Sequence, residues 1–176
     1  MKIYSIVEPA RRPGELNMEV DPPSHECGHW PEGVGYSCKP LNRKASTPNL
    51  ERTLAIVCDD FKPSACRLAQ IIEDEGFETL CVSDGWHAMQ ILENWIVDLL
   101  VIDILMPGLG DLETISRIRE MNLKTKVVAV SGGPAEYLAA ARRMGASMTF
   151  SKPVSTWALR DYARRLNTAA SGDPGG

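Results

Sequence analysis

From Thr53 onward the chain alternates between short apolar runs and longer amphipathic stretches. TLAIVC (53–58), FETLCV (77–82), DLLVID (98–103), KVVAVS (126–131) and SMTFS (147–151) are each strand-sized, and most are rich in β-branched residues. The segments between them, at about 63–75, 84–95, 111–121 and 134–144, and a last one at 155–167, read as helices. Strict strand–helix alternation implies a parallel sheet covered by helices on both faces. The predicted fold is therefore α/β, a doubly wound sheet of five parallel strands.

Residues 1–52 have a different texture. They hold seven of the twelve prolines and the turn-rich piece DPPSHECGHWPEGVGYSCKP, and no repeat of useful period is visible. Such a stretch can hardly bury enough apolar surface for a core of its own, so it reads as an irregular Pro/Gly-rich extension and linker. The expected organisation is extension 1–52, one domain at 53–167, and a short tail at 168–176. A hydrophobic content of 44% suits a globular core, and a net charge of −4 gives no reason to expect nucleic-acid binding. No apolar run reaches the roughly 18–20 residues that span a bilayer. MKIYSIV is too short for a secretory signal core, and five cysteines without scaffold spacing favour reduced thiols, so a cytoplasmic protein is expected.

In an open α/β sheet, sites form outside the carboxyl ends of the strands. The polar residues there are Asp59 and Asp60 after the first strand, Asp103 after the third, Ser131 after the fourth and Lys152 after the fifth. The second strand ends at Ser83-Asp84, where Asp84 reads as a helix N-cap. Converging carboxylates repel one another unless a cation neutralises them, and a hard divalent ion such as Mg²⁺ accepts carboxylate ligands while keeping sites for water and phosphate oxygens. With Lys152 also absorbing charge, a carboxylate in this setting can attack phosphorus. That would explain why the buried-looking run VIDILMPG (101–108) carries a single charge at Asp103.

The ordered set VCDDF (57–61), VIDILMPG (101–108), VSGG (130–133) and FSKPV (150–154) resembles the receiver domain of two-component response regulators, over about residues 53–167. The resemblance implies a flavodoxin/CheY-like fold and a role for each matching residue. Asp103 is implied as the aspartate phosphorylated by a histidine kinase or histidine phosphotransfer protein. Asp60 is implied as the direct Mg²⁺ ligand, Asp59 as its partner through water, and the backbone carbonyl of Leu105 as a further ligand beside Asp103. Ser131 matches the switch hydroxyl, Gly132 the small residue after it, Lys152 the phosphate-pairing lysine, and Pro153 the proline that follows a cis peptide bond. The phosphodonor histidine would belong to another protein, and His87 is read as a surface or boundary residue.

Two features depart from the pattern. The family's aromatic residue three positions before the lysine is replaced by Thr149, and strand alternation points the neighbouring Phe150 to the opposite face. The order GLGD at 108–111 differs from the usual Asp-Gly turn. With no DNA-binding or catalytic module after the domain, output is expected through protein contacts of the 134–167 face, to a downstream protein the sequence does not name. On the last helix Leu159, Ala163 and Leu166 share one side, and Trp157 falls with Arg160, Asp161 and Arg164 on the other, so Thr149 and Trp157 are candidate partner contacts. The chain would be no enzyme beyond catalysing its own phosphorylation and dephosphorylation. In the extension, His25, Cys27, His29 and Cys38 are potential zinc ligands, but without a CxxC pair a plain extension is the better reading. Cys58, Cys66 and Cys81 read as packing residues. Among other classes, a haloacid-dehalogenase-type phosphatase would need an acid at position 105, which is Leu, and a flavodoxin-like cofactor binder would meet a repelling acidic loop at DDFKPS. A receiver-like interaction module that works without phosphate stays open as the alternative.

Overall fold

The computed structural model describes residues 53–106, 111–121 and 123–170. The extension with His25, Cys27, His29 and Cys38, and the loop residues 107–110, lie outside them. The order is β1 (Leu54–Cys58), α1 (Lys62–Glu73), β2 (Glu78–Val82), α2 (Gly85–Asn94), β3 (Leu99–Asp103), α3 (Asp111–Glu120), β4 (Lys126–Ser131), α4 (Ala135–Arg143), β5 (Met148–Ser151) and α5 (Thr156–Ala170). All strand pairs are parallel, in the spatial order β2-β1-β3-β4-β5. The sheet order turns back between β1 and β3, so the carboxyl ends of these two central strands flank the crevice where a site is expected. No described helix is long and apolar enough to cross a membrane.

Two apolar layers sandwich the sheet, and the two-residue side-chain period assigns each strand residue to one of them. Leu54, Ile56 and Cys58 of β1, Leu100 and Ile102 of β3, and Val127 and Ala129 of β4 face α2, α3 and α4. Ala55 and Val57, Leu99 and Val101, and Val128 and Val130 face α1 and α5. Being buried on both sides, β1 and β3 read as unbroken apolar runs. Full burial of each Leu or Ile contributes about 1.5–3 kcal/mol. β5 is the edge strand and only partly covered; its Phe150 packs on the α1/α5 side, as alternation requires, so Thr149 faces α4. Cys58 and Cys81 are buried and Cys66 half-buried, and no disulfide joins them.

Local signals fix the helix ends. Pro63 stands in the first turn of α1, where the missing N–H would have no partner. Gly76, at φ +94°, turns the chain out of α1 towards β2. Asp84 caps α2: its Oδ1 accepts the His87 backbone N–H at 2.9 Å and its Oδ2 lies 2.6 Å from His87 Nδ1. One end differs from expectation. α5 continues to Ala170 instead of stopping at 167, because Thr168 and the two alanines are compatible with helix and the Thr168 hydroxyl donates to the Arg164 carbonyl at 3.1 Å. The first residues of the stretch read as a tail are therefore helical.

Burial pushes the Asp84 carboxyl up, but the hydrogen bonds from His87 outweigh it and hold the group below its ordinary value. A carboxyl depressed on folding adds stability above its unfolded pKa and loses it as pH falls through the folded one. Asp84→Ala is expected to cost about 1 kcal/mol near neutral pH, read as a lower denaturation midpoint. The gap from the wild type should narrow as the solution is acidified through the carboxylate range; a gap that widens contradicts this role.

Candidate functional site

Asp59, Asp60, Asp103, Ser131 and Lys152 arrive at the carboxyl edge because each ends or follows a strand of one parallel sheet. β1 and β3 are hydrogen-bonded neighbours, so Asp59, Asp60 and Asp103 come close, with one oxygen of each within 4.8 Å of the others. Asp59 is fully buried, Asp103 nearly so, and Asp60 faces solvent. Among the described residues this is the one group of three or more acidic, His or Cys side chains with such convergence.

Lys152 joins the two buried carboxylates. Its Nζ donates to Asp59 Oδ2 at 2.7 Å and to Asp103 Oδ2 at 2.5 Å. Burial lowers the affinity of the amine for its proton, but the bonds to Asp103 and Asp59 more than compensate and raise its pKa above the usual lysine value. The lysine reaches inward from the turn after β5, where the Lys152–Pro153 peptide bond is cis and the Lys152 N–H bonds to the Ser131 carbonyl at 2.7 Å. Two further donors complete Asp59: the Phe61 backbone N–H at 3.0 Å on Oδ1 and the Ser64 hydroxyl at 2.6 Å on Oδ2. Asp103 Oδ1 accepts the Leu105 N–H at 2.9 Å. Strand ends alone do not single out Ser64, although a hydroxyl in the first turn of the helix after an Asp-Asp pair is where such a donor would stand.

Ser131 is buried at the end of β4, and its Oγ accepts the Gly133 N–H at 3.1 Å, leaving its own proton to donate. The two following glycines differ in surroundings. A Cβ on Gly132 would meet the Lys152 Cβ at 3.9 Å, an ordinary contact, whereas one on Gly133 would lie 2.6 Å from Leu105 Cδ1. The exposed Leu105 side chain thus leans across the β3 and β4 loops, a contact that spacing along the chain does not reveal.

The other candidates lie away from this cluster. Thr149 faces α4 and its hydroxyl accepts from Arg142 Nε at 2.8 Å. Trp157, in the first turn of α5, is 76% exposed and does not fold back over the described domain. The arginines that share its side of the helix are engaged elsewhere: Arg160 pairs with Asp74 at 2.7 Å and Arg164 with Glu75 at 2.9 Å, both at the end of α1. The side of α5 that carries the candidate contact Trp157 is thus partly used to hold α1. His87 is half-buried and belongs to the α2 cap.

The donor set suits a hard divalent cation. Three carboxylates meet one bridging ammonium there, and all the acidic ligand atoms are oxygens, the preference of Mg²⁺.

Known proteins share this fold. The family model for the response regulator receiver domain matches residues 55–164. The sporulation initiation phosphotransferase F of Bacillus subtilis is 22% identical over 111 residues, which cover 62% of this chain and 90% of that protein. The sensor histidine kinase RcsC of Salmonella typhi is 27% identical over 135 residues, 74% of this chain but only 14% of the kinase's length. Among solved structures, the receiver domain of the Francisella response regulator 1452 superposes with a TM-score of 0.61 at 25% identity, covering 67% of this chain and 98% of that one. A CheY-like receiver domain protein from Methanospirillum hungatei, at 21% identity and a TM-score of 0.62, shares the fold over 68% of this chain and 96% of its own. With its match extending across all five strands and into the last helix, the chain belongs to the response regulator receiver domain family.

Proposed function

We propose that this receiver accepts a phosphoryl group on Asp103 from a phosphohistidine of a histidine kinase or histidine phosphotransfer protein, and signals through protein contacts. The observation that carries the reading is the Lys152 ammonium bridging two buried carboxylates beside a third, exposed one. Asp60, Asp103 and the Leu105 carbonyl would hold Mg²⁺, with Asp59 engaged through water; the ion would supply positive charge for the incoming phosphoryl group. Asp59 is suited to the indirect role because its Oδ2 already accepts from Lys152 and Ser64. An Asp103 carboxylate oxygen attacks phosphorus, the new P–O bond forms as the donor N–P bond breaks, and the imidazole leaves with the electron pair and takes up a proton. Ser131, with its hydroxyl proton available, and Lys152 would then engage the phosphoryl oxygens.

The added group carries about −1.5 to −2 charges at neutral pH. It competes with Asp59 for Lys152 and draws Ser131 towards itself, which moves the end of β4 relative to α4. Those differential contacts would shift a pre-existing equilibrium of the 134–167 face, where a downstream protein would bind and the exposed Trp157 is the candidate anchor. The working place of such a module would be the bacterial cytoplasm, where a phosphorylating kinase domain would meet it. A second reading, a receiver-like module that works without phosphate, draws on Thr149: a hydroxyl held by Arg142 replaces the family's aromatic ring, so coupling to the output face differs. The retained acidic pocket favours the first reading, since carboxylates that serve no chemistry are a continuing electrostatic burden.

Incubation with acetyl phosphate and Mg²⁺ is expected to add one phosphoryl group by intact mass, lost without Mg²⁺ and in Asp103→Asn. No adduct from folded wild type, or an undiminished adduct in Asp103→Asn, contradicts the assignment and favours the phosphate-independent module. The same charge argument predicts stability. Lys152→Ala leaves two buried carboxylates facing each other and should destabilise the fold by about 3 kcal/mol in urea titrations without divalent ions. Asp103→Asn relieves repulsion and should be neutral or stabilising; the opposite ranking of the two variants contradicts this charge balance.

A further inference from the structure

The opposite, amino edge of the sheet carries a second charged surface. The ends of α3 and α4 and the connection into β4 expose Lys124, Lys126, Arg142 and Arg143, together with Met121 and Met144, which are 40% and 41% exposed. The surface is continuous, because Arg119 of α3 donates from Nε to the Gly145 carbonyl at 3.0 Å and so ties the end of α3 to the end of α4. Basic residues in a helix's last turn are accounted for in part by the helix dipole, which covers Arg142 and Arg143. Lys124 and Lys126 stand outside any helix, and that explanation does not reach them. The nearest acid along the chain, Glu120, accepts from the Ser116 hydroxyl at 3.2 Å.

The chain enters the domain beside this surface. Leu54 N–H donates to Asp98 Oδ2 and Lys126 N–H to the Asp98 carbonyl, each at 2.9 Å, so a single residue links the starts of β1 and β4. Two strand spacings, about 10 Å, separate them. The preceding sequence is complementary in charge. Between Arg12 and Lys39 it contains Glu15, Glu19, Asp21, Glu26 and Glu32 and no Lys or Arg, with Met18 and Trp30 as apolar companions.

We propose that the acidic segment 15–32 docks within the same chain on the basic, methionine-lined surface of Lys124, Lys126, Arg143 and Met144. The 20 residues from Gly33 to Arg52 can extend to about 70 Å, which exceeds the separation severalfold. Tethering also holds the segment at an effective concentration of up to about millimolar, so individually weak, exposed ion pairs suffice for occupancy. Trp30 offers an aromatic face to the exposed methionine sulfurs. The docking surface adjoins Arg142, whose guanidinium holds Thr149, so a docked segment lies against the α4–β5 part of the 134–167 face and competes with whatever binds there. This inference is independent of the phosphoacceptor assignment.

Carbodiimide coupling of carboxylates to lysines in the full-length protein, followed by peptide mapping of the monomer fraction, tests it. At low salt, Lys124 or Lys126 should be linked to a carboxylate of 15–32. The link should be lost at about 1 M salt, where the screening length is near 3 Å, and lost at Lys126 in Lys124→Glu/Arg143→Glu, which retains Lys126 as the reporter. Absence of the link in wild-type monomer, its appearance only between two copies in dimers, or a yield indifferent to both salt and charge reversal overturns the proposal. Thermal unfolding verifies that the double variant is folded; if it is not, the salt series on the wild type decides.

Discussion

The pair of charged hydrogen bonds from the Lys152 ammonium to Asp59 and Asp103 ties together the carboxyl ends of β1, β3 and β5. Burial of an unmatched carboxylate costs several kcal/mol; Lys152, at the end of β5, places a cation between the two, and the Phe61 and Leu105 N–H groups and the Ser64 hydroxyl serve their other lone pairs. Much of the architecture serves that meeting. The parallel register aligns the carboxyl ends of β1 and β3, the apolar layers on both faces keep the central strands dry, and Gly133, with no Cβ, lets the Leu105 side chain lie against the turn after β4. The lysine carries one positive charge against the two buried carboxylates that it bridges, and the exposed Asp60 beside them adds further acidic oxygens.

That imbalance also describes how such a site can act as a switch. The ammonium and the Ser131 hydroxyl are mobile commitments: each has a partner within the protein and each could serve a new anionic group instead. Their reassignment would be felt first in the β4–α4 and β5–α5 turns. In this chain the position where the resemblance leads one to expect an aromatic ring holds Thr149, whose hydroxyl accepts from Arg142, and Phe150 belongs to the opposite apolar layer. Output coupling would therefore run through the position of α4 and its arginine, with the ion pairs of Arg160 and Arg164 holding α5 to α1 as a comparatively fixed wall.

The sheet and the acidic site are legible in the sequence because both depend on periodicity and on strand ends. Alternation identifies the strands, puts Phe150 on its side, and locates Asp59, Asp103, Ser131 and Lys152 at one edge; a polar residue before an amphipathic run identifies the Asp84 cap. Contacts that depend on side-chain reach are not legible. Ser64 on Asp59, Leu105 across Gly133 and Arg142 on Thr149 join residues whose proximity follows only from how helices sit on the sheet. Helical spacing turns Trp157 away from the apolar side of α5, as the structure has it, but does not show that the arginines on that side reach the acids at the end of α1. The additional residues at the end of α5 escape the sequence pattern because Thr-Ala-Ala is compatible with both helix and tail, and only a contact such as that of the Thr168 hydroxyl with the Arg164 carbonyl, at 3.1 Å, shows the helix continuing.

The central claim is that, of the three clustered acids, Asp103 is the one that becomes covalently modified. Borohydride reduction of the phosphorylated protein converts an aspartyl phosphate to homoserine, which tandem mass spectrometry locates by residue. The account predicts homoserine at position 103 and unmodified aspartate at 59 and 60. Homoserine at either of those positions, with Asp103 intact, would contradict it.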